Sequence, residues 1–128
     1  MARVMVVDDS LTSRILMKAL AENAGHEVVA MCDNGWDALE KIAALGPDIV
    51  FLDMLMPHMD GLEVLKRLAH VANRPKVIML SSVSTRDKIL TARDAGADMY
   101  VIKPFTADKV HDAVARCLEG GPGSHAAS

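Results

Sequence analysis

Five positions carry side chains that could act together on an anionic group: the carboxylates of Asp8, Asp9 and Asp53, the hydroxyl of Ser81 and the ammonium of Lys103. Each follows a short apolar run. Val4-Met5-Val6-Val7 leads into Asp8-Asp9-Ser10, Ile49-Val50-Phe51-Leu52 into Asp53, Val77-Ile78-Met79-Leu80 into Ser81-Ser82, and Met99-Tyr100-Val101-Ile102 into Lys103-Pro104. Singly, each has an ordinary structural explanation: Asp8, Asp9 or Ser10 could cap a helix, so could Ser81 or Ser82, and Lys103 could be a solvated loop charge. Gathered on one edge, however, three carboxylates repel one another and raise each other's pKa unless a cation sits among them. Mg²⁺, with Mn²⁺ as a substitute, suits oxygen donors from Asp9 and Asp53 with a backbone carbonyl. No His or Cys set converges with them for zinc.

A phosphoryl group would complete that set, because a carboxylate can attack phosphorus once charge on the transferring oxygens is neutralised. Asp53 is then the nucleophile, and Ser81 and Lys103 are the groups drawn toward the new charge. The segment Thr85 to Ala95 is weakly amphipathic and comes soon after Ser81, so it is expected to move in response.

Positioning these residues requires parallel strands that all point one way. The run Ile49 to Leu52 is continuously apolar, as in a strand covered on both faces, and Asp53 emerges at its C-terminal edge, where open α/β sheets place ligands. Helical periodicity comes after each strand. Ile15, Leu16, Ala19 and Leu20 are expected to form the inward face of the first helix, and Ala38, Leu39, Ile42 and Leu45 that of the second, Trp36 to Leu45. Leu62, Leu65 and Leu68 serve the third, which Pro75 ends, and Val110, Ala113, Val114, Cys117 and Leu118 serve the last. Trp36 is expected to pack for the second helix, and Met54, Met56 and Met59 to fill core or loop space. His58 reads as a surface loop residue, Asp60-Gly61 as the turn that starts the third helix, and Asp48 as a turn residue. Five strands alternating with five helices at short connections predict a doubly wound α/β domain with helices on both faces of a parallel sheet.

Length and composition agree: 128 residues make one domain, 51% hydrophobic and aliphatic, able to bury a core without disulfides. The net charge of −3, with no Lys/Arg run, argues against a general nucleic-acid or membrane surface. Cys32 and Cys117 are read as reduced structural thiols. With no export signal and no membrane span, the expected localisation is cytoplasmic. Residues 120–128, Gly-Gly-Pro-Gly-Ser-His-Ala-Ala-Ser, are expected to be a flexible C-terminal tail or the start of a linker after a domain of residues 1–119.

The blocks Val6-Val7-Asp8-Asp9-Ser10, Leu52 to Gly61, Leu80-Ser81-Ser82 and Lys103-Pro104-Phe105 resemble the receiver domain of two-component response regulators. The resemblance covers residues 3 to about 119 and implies a flavodoxin-like (βα)5 sheet of strand order 2-1-3-4-5. It implies that Asp53 is the phosphoacceptor, that Asp8, Asp9 and Asp53 bind Mg²⁺ with the Leu55 backbone carbonyl, and that Ser81 and Lys103 contact the phosphoryl group. Tyr100 would be an aromatic switch turning inward on activation, and the Lys103–Pro104 bond would be cis. A sensor histidine kinase or phosphotransfer protein would be the donor. A downstream protein partner or effector domain would read the fourth helix, fifth strand and fifth helix. The chain would not bind nucleic acid directly, and would be a monomer, or a dimer when phosphorylated.

Leu55 and Val83 stand two residues after Asp53 and Ser81, where many receivers carry polar residues, so slow hydrolysis of the acyl phosphate is expected. Within the family, the chain looks like the chemotaxis and single-domain regulators, and also like the receiver of the sporulation transcription regulator. Two other classes compete. A haloacid-dehalogenase-type aspartyl-phosphate hydrolase also uses a strand-end Asp and Mg²⁺, but Leu55 stands where its second Asp would be. A flavin-binding domain on the same type of sheet would need a phosphate-cradling loop after the first strand, and none is present.

Overall fold

The computed structural model describes residues 1–119, so the expectation for residues 120–128 lies outside the described residues. Ten elements alternate along the chain: β1 (Arg3–Val7), α1 (Leu11–Asn23), β2 (Glu27–Cys32), α2 (Gly35–Leu45), β3 (Ile49–Asp53), α3 (Gly61–Leu68), β4 (Lys76–Ser81), α4 (Arg86–Asp94), β5 (Met99–Ile102) and α5 (Ala107–Glu119). All strand pairs are parallel, in the order β2-β1-β3-β4-β5. The order reverses between β1 and β3, whose connections leave in opposite directions and open a crevice at their C-terminal ends. That crevice falls where Asp8, Asp9 and Asp53 are.

Alternation along the central strands divides the interior in two. Val4, Val6, Ile49, Phe51, Ile78 and Leu80 face α1 and α5, while Met5, Val7, Val50, Leu52, Val77 and Met79 face the α2–α3 side. Every residue of β3 is buried, which is why its sequence reads as one apolar run rather than as an alternating one. Fully burying a side chain such as Phe51 contributes roughly 1.5–3 kcal/mol. The two cysteines lie in separate halves of this core, both free, and burial first of all pushes each thiol up to about 12.

Helix starts obey capping chemistry. The Ser10, Asn34 and Asp60 side chains accept the N–H groups of Ser13, Asp37 and Glu63. Gly46, at φ +57°, ends α2 in the left-handed region just before Pro47. Thr85 at the head of α4 makes no such side-chain bond, and α4 buries Ala92 while exposing most of its charged positions.

Several packing expectations are corrected. The inward face of α1 is Met17 and Ala21, whereas Ile15 is 56% and Leu16 41% exposed, with Ala19 exposed and Leu20 half-buried. Apolar residues occur almost all round this helix, so spacing alone did not select the face that meets α5 and the sheet. Trp36 is 58% exposed, lying under the Arg67 guanidinium at 4.8 Å rather than in the core. Leu118 is exposed and Leu45 just so, since each sits at the end of its helix beyond the sheet's cover. Helix α3 ends at Leu68, well before Pro75, and Val64 joins Leu65 and Leu68 on its buried face.

One loop residue is held against its preference. His58 has φ +70°, and the Met59 N–H donates to the Pro57 carbonyl at 2.8 Å, closing a three-residue turn around it. A residue with a Cβ is disfavoured there by about 1–2 kcal/mol. The larger chain entropy that a glycine loses on folding offsets part of that. His58→Gly should therefore stabilise the protein by about 0.5–1 kcal/mol, read as a higher urea midpoint at unchanged slope. A lower midpoint would show that the turn carries no strain.

Candidate functional site

The crevice between β1 and β3 is built from strand ends. The β1–β3 register pairs Val7 with Leu52 and so sets Asp8 beside Asp53, while the Asp8 N–H to the Cys32 carbonyl and the Met54 N–H to the Leu80 carbonyl tie the two strand ends to β2 and β4. Asp8 is fully buried, Asp53 nearly so, and Asp9 exposed at the rim. Ligand oxygens of all three lie within 4.8 Å of one another.

Hydrogen bonds orient each group. The Asp8 carboxylate accepts the Ser10 N–H at 2.9 Å, and Asp53 Oδ1 accepts the Leu55 N–H at 3.4 Å. Lys103 Nζ enters from β5, 3.1 Å from Asp8 Oδ2 and 3.5 Å from Asp53 Oδ1, and its backbone N–H donates to the Ser81 carbonyl. Ser81 is buried, and its Oγ accepts the Val83 N–H at 2.9 Å. Burial and then the Asp8 charge push the Asp53 carboxyl up to about 7, against the opposing pull of Lys103 and the Leu55 N–H. Asp53 thus shares its pocket with more negative charge than one lysine neutralises. The all-oxygen donor set fits a hard divalent cation such as Mg²⁺.

The remaining expected residues lie around this centre. The Tyr100 hydroxyl donates to the Val83 carbonyl at 2.7 Å, so the ring is tied to the loop between β4 and α4. Leu55 is 59% exposed at the mouth and Val83 is half-buried. The Lys103–Pro104 peptide is cis. None of the expected residues is stranded elsewhere. The capping alternatives divide: Ser10 does cap α1, whereas Ser81 and Ser82 do not cap α4, whose head is Thr85.

Two basic residues near the site were not singled out from the sequence. Arg14 Nη1 donates to the Asp8 carbonyl at 2.7 Å, and Lys109 Nζ donates to the carbonyls of Ile102 and Pro104 at 3.3 Å each. Their shared signal is a cation near the beginning of a helix, where the helix dipole disfavours positive charge.

Comparisons with known proteins identify the family. The response regulator receiver domain model matches residues 4–115. The chain belongs to the response regulator receiver family. This receiver is 36% identical over 116 residues to the chemotaxis protein CheY of Bacillus subtilis, covering 91% of this chain and 97% of that one. It is 34% identical to sporulation initiation phosphotransferase F of the same organism, over 91% and 93% of the two chains. Among solved structures, the CheX-CheY-BeF3-Mg complex of Borrelia burgdorferi matches with a TM-score of 0.86 at 26% identity, over 91% and 88%. The receiver is accordingly a phosphoacceptor signalling domain of the CheY type, and the hydrolase reading finds no support. Among the described residues, no helix is long and apolar enough to cross a membrane.

Proposed function

We propose that this receiver takes a phosphoryl group onto Asp53 from a histidine kinase or phosphotransfer protein in a Mg²⁺-dependent reaction, and so controls a protein partner through α4, β5 and α5. The observation that carries this reading is the meeting of Asp8, Asp9 and Asp53 with the ammonium of Lys103 in one buried crevice. In the reaction the bond from phosphorus to the donor breaks as an Asp53 carboxylate oxygen bonds to phosphorus, giving an acyl phosphate. Asp8, Asp9, Asp53 and the Leu55 carbonyl would hold Mg²⁺, which when bound neutralises charge on the transferring oxygens. Lys103 supplies a positive charge beside Asp8 and Asp53, and Ser81 a hydroxyl that can donate while its oxygen still accepts the Val83 N–H.

A gain of roughly two negative charges at Asp53 draws Ser81 and Lys103 inward. Val83 joins the crevice to the output face, since its N–H meets Ser81 Oγ and its carbonyl meets the Tyr100 hydroxyl. A pull on Ser81 is thereby felt by Tyr100 and by α4. For the donor, α1 offers Leu11, 60% exposed, with Ile15 and Leu16 beyond it, directly after the acidic pair. That apolar stripe at the rim supports docking of the donor there. The CheX–CheY complex has a relative bound to a protein, which supports protein output here. A soluble cytoplasmic setting is consistent with such donors.

The test is intact mass after exposure to acetyl phosphate with and without Mg²⁺. A single phosphoryl adduct should form, need Mg²⁺, and be absent from Asp53→Asn. An adduct that persists in the variant would overturn the assignment of Asp53.

Lifetime is a separate expectation. The side chains of Leu55 and Val83 cannot orient an attacking water, so Leu55→Asn with Val83→Glu should speed loss of the adduct by about 10-fold, a small part of what positioning can contribute. Neither position is deeply buried, so the polar groups cost little to introduce. Equal decay rates would remove these residues from the account.

A further inference from the structure

Thr106 heads α5, its hydroxyl accepting the Lys109 N–H at 3.2 Å. Lys109 therefore occupies the third helical position, where a glutamate or glutamine commonly completes the cap and where the helix dipole opposes a cation. Its side chain is exposed, yet the ammonium has backbone partners. It folds back to the carbonyls of Ile102 and Pro104, the residues on either side of Lys103. Phe105, the next residue, is buried in the core beneath, and Val110 anchors the same turn of helix. The segment bearing Lys103 is thus fixed at three points: the Lys103 N–H on the Ser81 carbonyl, the Phe105 ring, and the Lys109 ammonium across both flanking carbonyls.

We propose that Lys109 is a positioning residue, an ammonium clamp by which the first turn of α5 sets the direction of Lys103 toward Asp53. The inference rests on the reading of Lys103 as the group that meets the phosphoryl charge. At 3.3 Å each the two bonds are individually modest, and they act by bracketing the Lys103 segment from both flanking carbonyls at once. Lys103 must reach two carboxylates at 3.1 and 3.5 Å at once, a geometry that a small rotation of its backbone would spoil. Because α5 belongs to the proposed output face, the clamp also joins that face to the reacting centre by one side chain.

Lys109 is exposed, so its variants should fold. Lys109→Met keeps much of the stem and removes the charge, and Lys109→Arg restores a donor to the carbonyls. With acetyl phosphate as donor, Lys109→Met should form adduct about fivefold more slowly, and Lys109→Arg within about twofold of the native rate. Without phosphodonor, hydrogen exchange at the Lys103 amide should quicken in Lys109→Met alone. Thermal stability should change little, because the loss of two long, exposed bonds is offset by removal of a charge the helix dipole disfavours, so a rate loss cannot be put down to weaker folding. Lys103→Met serves as the reference. If it is slow while Lys109→Met keeps native rate and exchange, the clamp is overturned. If Lys103→Met is as fast as the native protein, the reading of Lys103 has failed. Amide exchange alone then decides, unchanged exchange overturning the clamp and faster exchange upholding it.

Discussion

Asp53→Asn is expected to melt at a higher temperature than the native protein at pH 8 without divalent cations. The Asp53 carboxyl is buried beside Asp8, and its pKa is raised from 3.8 to about 7. A raised pKa means that the folded state holds this proton more tightly than the unfolded chain does. Stability linked to it is present below the unfolded pKa and is lost as pH rises through the folded one. A shift of this size corresponds to roughly 4 kcal/mol at most, and charge sharing with Lys103 and Asp8 reduces what a neutral amide recovers. The expected gain is about 2 kcal/mol, or roughly 5–10 °C for a domain of this length. The advantage should be small near pH 4, grow between pH 4 and 7, then level off. Mg²⁺ should narrow it by stabilising the native protein more than the variant. A variant that melts lower at pH 8 would mean that the carboxylates do not repel as the geometry requires.

Gly61→Ala should be severely destabilising. A Cβ at Gly61 would lie 2.5 Å from the Asp53 carbonyl oxygen and 2.9 Å from Met54 Cα, both backbone atoms that no rotamer change can clear. Gly61 also donates its N–H to the Met54 carbonyl at 2.9 Å, so the head of α3 rests directly on the end of β3. Relief requires α3 or Asp53 itself to shift. The expected cost is about 3 kcal/mol or more in urea unfolding, near the upper end for overpacking. The fraction that folds should phosphorylate at least about 10-fold more slowly, since the nucleophile moves. Gly25→Ala is the contrast: at φ +90° with open space around it, the penalty comes from backbone conformation alone, roughly 1 kcal/mol. Equal effects at the two glycines would show that the contact between α3 and β3 is not tight.

The sheet was legible in the amino-acid sequence because β1, β3 and β4 are buried on both faces and present unbroken apolar runs, and the site because each run stops at a chemically distinct residue. Asp8, Asp53, Ser81 and Lys103 needed no tertiary information beyond parallel strands to be brought together. The face of α1 was not legible: Leu11, Ile15, Leu16, Met17, Leu20 and Ala21 leave little polar contrast around the helix, and burial was decided by the approach of α5. Trp36 misled for a related reason, since hydrophobicity predicts burial but not the presence of Arg67 on a neighbouring helix. Lys109 and Arg14 showed only an ill-placed charge near a helix start, and their partners stayed hidden because these are backbone carbonyls, which every residue carries and no sequence distinguishes.

Helix α4 has a consequence for how such a chain can change over generations. It buries Ala92, its first turn lacks a side-chain cap bond, and Arg86, Asp87, Lys88, Arg93 and Asp94 face outward. Substitutions at those positions remove no core contact, and surface changes of this kind usually stay within about 0.5 kcal/mol. New charge patterns can therefore be tried on α4 with the fold and the acidic crevice left intact. On the output face proposed for this receiver, the vocabulary of partners can then be rewritten while the chemistry that switches them stays the same.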